Sequence, residues 1–168
     1  MNPESSPPLS DPTPFGDQPF EGFLTPSELW DQNFASVPKF KGIYQVLWYP
    51  AEKPRFLEQS PAGRYKGKDP SKPIAELKAK WVEGASALYI AAAGGGGAKA
   101  TLRSRLRSMI RFGRGEAVGH WSGHELWQLV NPEDLVIVWS SMRGDPSKIE
   151  RELLERFESE YGAAPFAN

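Results

Sequence analysis

"ALYIAAAGGGGAKATLRSRLRS", Ala87 to Ser108, passes from a β-prone apolar run through four glycines into an arginine-rich stretch. That order reads as strand, turn and helix. "GGGAKA" (95–100) fits the dinucleotide pattern G-x-G-x-x-A. Glu116 lies about 20 residues onward, where such a fold places its ribose-binding acid. The fit ends there, because Glu116 sits in "RFGRGEAVGH", which has no strand character. No Gly-Lys-Ser/Thr follows the glycines, so a Walker loop is excluded as well. The glycines are read as a turn that lets a strand pass into a helix.

Working outward, "GIYQVLWY" (Gly42 to Tyr49) is a β-branched and aromatic run stopped by Pro50, and "DLVIVWSS" (Asp134 to Ser141) is similar. With "SALYIAA" they predict three strands. "TPSELWDQNF" predicts a short helix with Thr25 as N-cap, Pro26 at N1 and Glu28 at N3. "PIAELKAKWVE" predicts a second helix. A third is expected from about Lys99 to Phe112, and a fourth from about Pro146 to Tyr161, capped by Asp145 or Ser147. The fold class expected is α/β (α+β), a small layered fold. Residues 1–22 are rich in Pro, Ser and Asp and are expected to be a disordered tail, leaving 23–168 as one domain with an N-terminal helical extension.

The 168 residues carry a net charge of −1, so any anion site must come from local clustering rather than a global basic field. No cysteine is present, which excludes disulfides and thiolate metal sites. No apolar run approaches the roughly 20 residues of a membrane span, and the first residues lack a signal-peptide pattern. A cytoplasmic protein without membrane contact is expected. No pattern specifies an oligomeric state.

Projected at about 100° per residue, the third helix places Leu102, Leu106, Met109, Ile110 and Phe112 on one arc. Arg103, Arg107 and Arg111 form a separate basic stripe, while Arg105 falls inside the apolar arc. In the fourth helix Glu152, Glu155 and Glu158 lie opposite the apolar face, but Glu150 falls in its middle. Two charges therefore point inward, and a charge taken from water needs a partner. One account is a buried Arg105–Glu150 bridge. The other is a shared site in which Arg105 grips a phosphate and Glu150 holds a divalent metal. Arg suits phosphate through its planar fork, and Mg²⁺ is commonly held by one or two carboxylates with water and phosphate.

"GIY" at Gly42-Ile43-Tyr44, "YIA" at Tyr89-Ile90-Ala91, Arg105 in "LRSRL", Glu150 in "ERELL" and Asn168 in "PFAN" occur in an order that resembles the GIY-YIG nuclease superfamily. The resemblance spans about Lys41 to Asn168. It implies a small, mainly antiparallel three-stranded sheet flanked by helices, and metal-dependent hydrolysis of phosphodiester bonds in DNA. It further implies that Tyr44 and Tyr89 are the motif tyrosines. One of them, Tyr44 being favoured, would help to deprotonate the attacking water. Arg105 would bind the scissile phosphate, Glu150 would hold the single Mg²⁺ or Mn²⁺, and Asn168 would support the site. Three positions depart from the pattern. Ala91 stands where the family has Gly, Ala92 where some members have a basic helper, and Met109 where some have His. These departures motivate an alternative, a nucleic-acid-binding module that does not cleave. Lys99, His120 and His124 are the candidate substitutes for the missing helper.

Lys99, Arg103, Arg107 and Arg111 adjoin Arg105 in sequence and are the expected contacts to nucleic-acid backbone. "HWSGH" spaces His120 and His124 as a zinc-binding helix would, but Ser-Gly between them favours a turn. The tryptophans, with Trp48, Trp81, Trp121, Trp127 and Trp139 among them, read mostly as core residues, and one exposed tryptophan, which the sequence does not single out, is a candidate to stack on a base. The DNA substrate is not specified by any of these features.

Overall fold

The computed structural model describes Pro12 and residues 19–168. The expected tail otherwise lies outside the described residues, except at its end. There Glu21–Leu24 forms a strand, β1, and α1 (Pro26–Asp31) follows. β2 is Gly42–Leu47, α2 Ile74–Lys80 and β3 Ala87–Ala93. α3 covers Leu102–Gly113, β4 Val136–Ser141 and α4 Pro146–Tyr161. Short 3₁₀ turns lie between them.

The mixed α and β class holds, but the sheet has four strands rather than three, in the order β1-β4-β2-β3, and every pairing is antiparallel. β1 is the addition. It pairs Glu21 with Trp139 and Gly22 with Val138, then slips through a bulge before Leu24. Gly22 and Phe23 both have positive φ there, which breaks the alternation a strand shows in sequence.

Alternation along β2 and β3 sends side chains to two cores. Tyr44, Val46, Tyr89 and Ala91 face α3 and its Leu102, Leu106, Met109 and Ile110. Ile43, Leu47, Ile90 and Ala92 face α4 and its Leu153 and Phe157. β3 is an edge strand, and the long connection before it is ordered by Gln128, fully buried in a 3₁₀ turn. Its side chain donates to Leu57 O (2.8 Å) and Lys72 O (2.7 Å) and accepts from Lys72 N (2.9 Å).

Caps explain the helix limits. Thr25 and Glu28 form the expected capping box. α3 begins at Leu102, not near Lys99, because Thr101 caps it and Ser104 returns a bond to the Thr101 amide. Asp145 caps α4. The four glycines make a tight turn rather than a loose one. A Cβ on Gly95 would collide with Ser147 Oγ, and the Gly96 amide donates to Asp145 Oδ1 at 3.2 Å. The turn is thereby fastened to the start of α4. No helix among the described residues is long and apolar enough to cross a membrane.

Candidate functional site

The outer edge of β3 cannot be left bare, since its unpaired amides and carbonyls lie in a half-buried setting. Three residues from two distant parts of the chain cover it. Asn168 donates through Nδ2 to Ile90 O at 2.8 Å and accepts from Ile90 N at 3.0 Å, as a neighbouring strand would. The Ala167 amide donates to Leu88 O at 2.8 Å. Glu150 accepts from Ala92 N at 2.6 Å. Asn168 is positioned by Phe166, which stacks on Phe56 (5.7 Å between centroids) and leans on Trp81 (5.2 Å).

A cavity of about 400 Å³ opens against this edge, lined by Tyr89, Ala91, Arg105, Glu150 and Asn168 among others. Arg105 reaches it from the helix on one face of the sheet and Glu150 from the helix on the other. They do not bridge. No ion pair joins them among the described residues, and Arg105 meets no carboxylate there. The groups around Arg105 are instead Tyr44, Tyr89 and the ring of His120.

The two tyrosines share a face and meet edge to face, with ring centroids 5.9 Å apart. Tyr89 lines the cavity, whereas Tyr44 lies behind it, fully buried. Tyr44 Oη makes no well-formed hydrogen bond, although Tyr89 and Arg105 stand beside it. Burial, and then Tyr89, push the Tyr44 hydroxyl well above its ordinary value, against an opposing pull from Arg105. Burial also raises Tyr89, while Ser122, Tyr44 and Arg105 draw it down. Tyr89 is thus the tyrosine open to the cavity and the one whose surroundings oppose its burial most.

Gly123 sets the opposite wall. Its φ is 74°, and a Cβ there would press on the Tyr89 ring at 3.3 Å. This turn carries Trp121, Ser122 and His124 into the cavity lining. "HWSGH" is therefore a turn, as its Ser-Gly suggests. His120 is 2% exposed, neither ring nitrogen makes a well-formed hydrogen bond among the described residues, and burial followed by Arg105 lowers its pKa to about 4 against an opposing pull from the Ser122 backbone. His124 is lowered mainly by burial, and its Nδ1 lies 3.1 Å from Trp121 O. Met109 is fully buried, and Ala92 packs on the α4 side.

Glu125 is a second carboxylate at the cavity, 4% exposed, which sequence reasoning missed. Lys80 Nζ at 2.7 Å and Lys72 Nζ at 3.7 Å already neutralise it. Glu150 differs. Its Oε2 is held by the Ala92 amide, and no group among the described residues takes its other oxygen. That arrangement fits a hard divalent ion held by one carboxylate with waters and a phosphate. Among the described residues no cluster of three or more His, Asp or Glu offers a metal site made by protein alone.

The expected backbone contacts fall elsewhere. Arg103 donates to Val37 O (2.7 Å) and Ala35 O (3.0 Å), and Arg107 reaches Asn33 O (3.4 Å). Arg111 pairs with Glu116 at 2.6 Å. These side chains fasten the segment after α1, or the end of α3, and do not line the cavity. Lys99 is exposed, outside the cavity lining. No family model, curated protein or solved structure matches this chain.

Proposed function

We propose that this chain is a metal-dependent endonuclease that hydrolyses phosphodiester bonds in DNA at the β3 edge. The observation that carries the reading is the meeting of Tyr89, Arg105, Glu150 and Asn168, far apart in sequence, around one cavity, with Arg105 and Glu150 unpaired to each other. An arginine kept half-buried without a carboxylate is a prepared receptor for an anion. Its fork takes two oxygens of the scissile phosphate and offsets the charge that grows on them during in-line attack. Glu150 would hold one Mg²⁺ or Mn²⁺, whose chemistry there is to polarise the phosphate and stabilise the leaving oxygen.

Tyr89 Oη orients the attacking water and accepts its proton. Burial raises the Tyr89 hydroxyl, and Ser122, Tyr44 and the charge of Arg105 oppose that rise, in the direction of the phenolate this requires. Tyr44 supports Tyr89 from behind. Asn168 keeps β3 straight by acting as a strand neighbour, so that Ala92 presents its amide to Glu150. The second reading, a binding module without cleavage, draws on Ala91 in the cavity wall and on the raised tyrosines.

Supercoiled plasmid incubated with the protein in Mg²⁺, Mn²⁺ or EDTA tests the proposal, with Glu150→Ala alongside. Nicking that requires metal and disappears in the variant supports cleavage. A folded protein that binds DNA but nicks in neither metal supports the binding module and overturns the nuclease.

A further inference from the structure

Trp121 is the one tryptophan in the cavity lining. It is half-buried, while Trp127 and Trp139 are sealed in the core and Trp48 and Trp81 pack on each other 6.3 Å apart. His124 lies against the Trp121 ring at 4.5 Å and 33°, and Phe112 meets it edge-on at 6.2 Å. Two contacts of this kind fix the plane of the indole. Burial favours the uncharged form of the His124 ring, so the pair is a π surface rather than a cation. The turn that carries it is braced by Gly123 against Tyr89. Arg105 and this aromatic pair therefore share one cavity, whose volume of about 400 Å³ is in the range of small-ligand sites.

A base inside a duplex has both faces covered by its neighbours and cannot also stack on a protein ring. An unpaired base has a free face, and aromatic side chains take it with little regard to sequence. We infer that Trp121, held by His124, stacks an unpaired nucleobase next to the phosphate gripped by Arg105, so that the substrate class is DNA with unpaired nucleotides at the cut. The inference rests on the nuclease reading for the phosphate, but its base-binding part can fail separately. Lys80 and Lys72 pair with Glu125, so the carboxylate on the same wall is neutralised where the adjoining backbone would pass.

The test compares binding of a fluorescent thymidine tetranucleotide with the same tetranucleotide made of abasic sites, in EDTA so that no cleavage occurs. The expected result is roughly ten-fold tighter binding of the oligothymidine, in line with the contribution of one stacked base. Trp121→Ala should erase that ratio, and Trp121→Phe should keep most of it, with far-UV circular dichroism checking the fold. Equal binding of both oligomers, lost together in Arg105→Ala, would overturn the platform and leave the phosphate grip standing. Binding of neither would overturn both. In Mg²⁺ or Mn²⁺, a duplex with a short unpaired gap should be cut faster than the intact duplex, and Trp121→Ala should narrow that preference. An unchanged preference in the variant would also overturn the platform.

Discussion

Four arginines lie along α3 within nine residues, in two kinds of surroundings. Arg103, Arg107 and Arg111 each end on a protein acceptor: carbonyls of the segment after α1, or Glu116. Arg105 ends in a cavity lined by Tyr89, with Tyr44 and His120 buried beside it, and meets no acid among the described residues. One helix thus has a side whose charges are satisfied and a position whose charge is not. A satisfied guanidinium contributes to the fold. An unsatisfied one held half-buried contributes little to the fold and has its donors free for a ligand.

The largest effect separates these roles. Arg105→Ala should lower DNA cleavage by about 1,000-fold, the usual cost of removing one donor to transition-state charge, while stability changes by less than about 1 kcal/mol. A bridge to Glu150 would behave in the opposite way, with about 3–5 kcal/mol lost from either single substitution. Urea denaturation and nicking rates on the same two preparations decide between them. Destabilisation on that scale would end the claim that Arg105 is free.

His120 sharpens the comparison, because burial first and the charge of Arg105 second both act on its ring. Its folded pKa of about 4 lies below the ordinary 6.5. Between those values the unfolded chain binds a proton that the folded chain refuses, so stability falls as pH drops from 6.5 towards 4. Above pH 6.5 both states are neutral and the effect is absent. The loss over that window is about 3 kcal/mol. His120→Phe should flatten this limb of the stability profile. Neither ring nitrogen makes a well-formed hydrogen bond among the described residues, so the substitution should cost little at pH 7. If the limb is as steep in the variant as in the parent, His120 does not lie in the surroundings described.

What the sequence reveals follows the range of the forces involved. β2, β3, β4 and the ends of α1 and α4 are written in local pattern and caps, and they appear where expected. β1 is not, since "EGFL" has no β-branched residue and its pairing depends on β4. The start of α3 is not legible either, because its cap uses Ser104 where a capping box usually has Glu or Gln. The inward lean of Arg105 and Glu150 could be read from a helical wheel. Their failure to meet could not, because the sheet stands between their helices. The outward side of Arg103 was legible too, but its acceptors are backbone carbonyls, which no side-chain pattern announces. Trp121 stood out only as one of six tryptophans until the turn at Gly123 selected it.

Smaller effects test the satisfied side. Arg103→Ala removes two charge-assisted bonds to carbonyls and should destabilise the protein by about 1.5–3 kcal/mol, with cleavage per folded molecule retained. A variant that remains stable but binds DNA weakly would return Arg103 to the nucleic-acid contacts.

Arg111→Ala should do least. Its partner Glu116 sits beside it on the surface, and the two side chains are 45% and 41% exposed. Such pairs are screened by water and salt and commonly contribute about 0–1 kcal/mol, so the variant should melt close to the parent. Its value lies in the salt dependence of DNA binding. A guanidinium that serves Glu116 alone leaves the slope of affinity against salt concentration unchanged. One that also meets a phosphate lowers that slope by about one ion. A lowered slope for Arg111→Ala, beside an unchanged one for Arg103→Ala, would divide the stripe itself and put the boundary between fold and ligand near the last turn of α3.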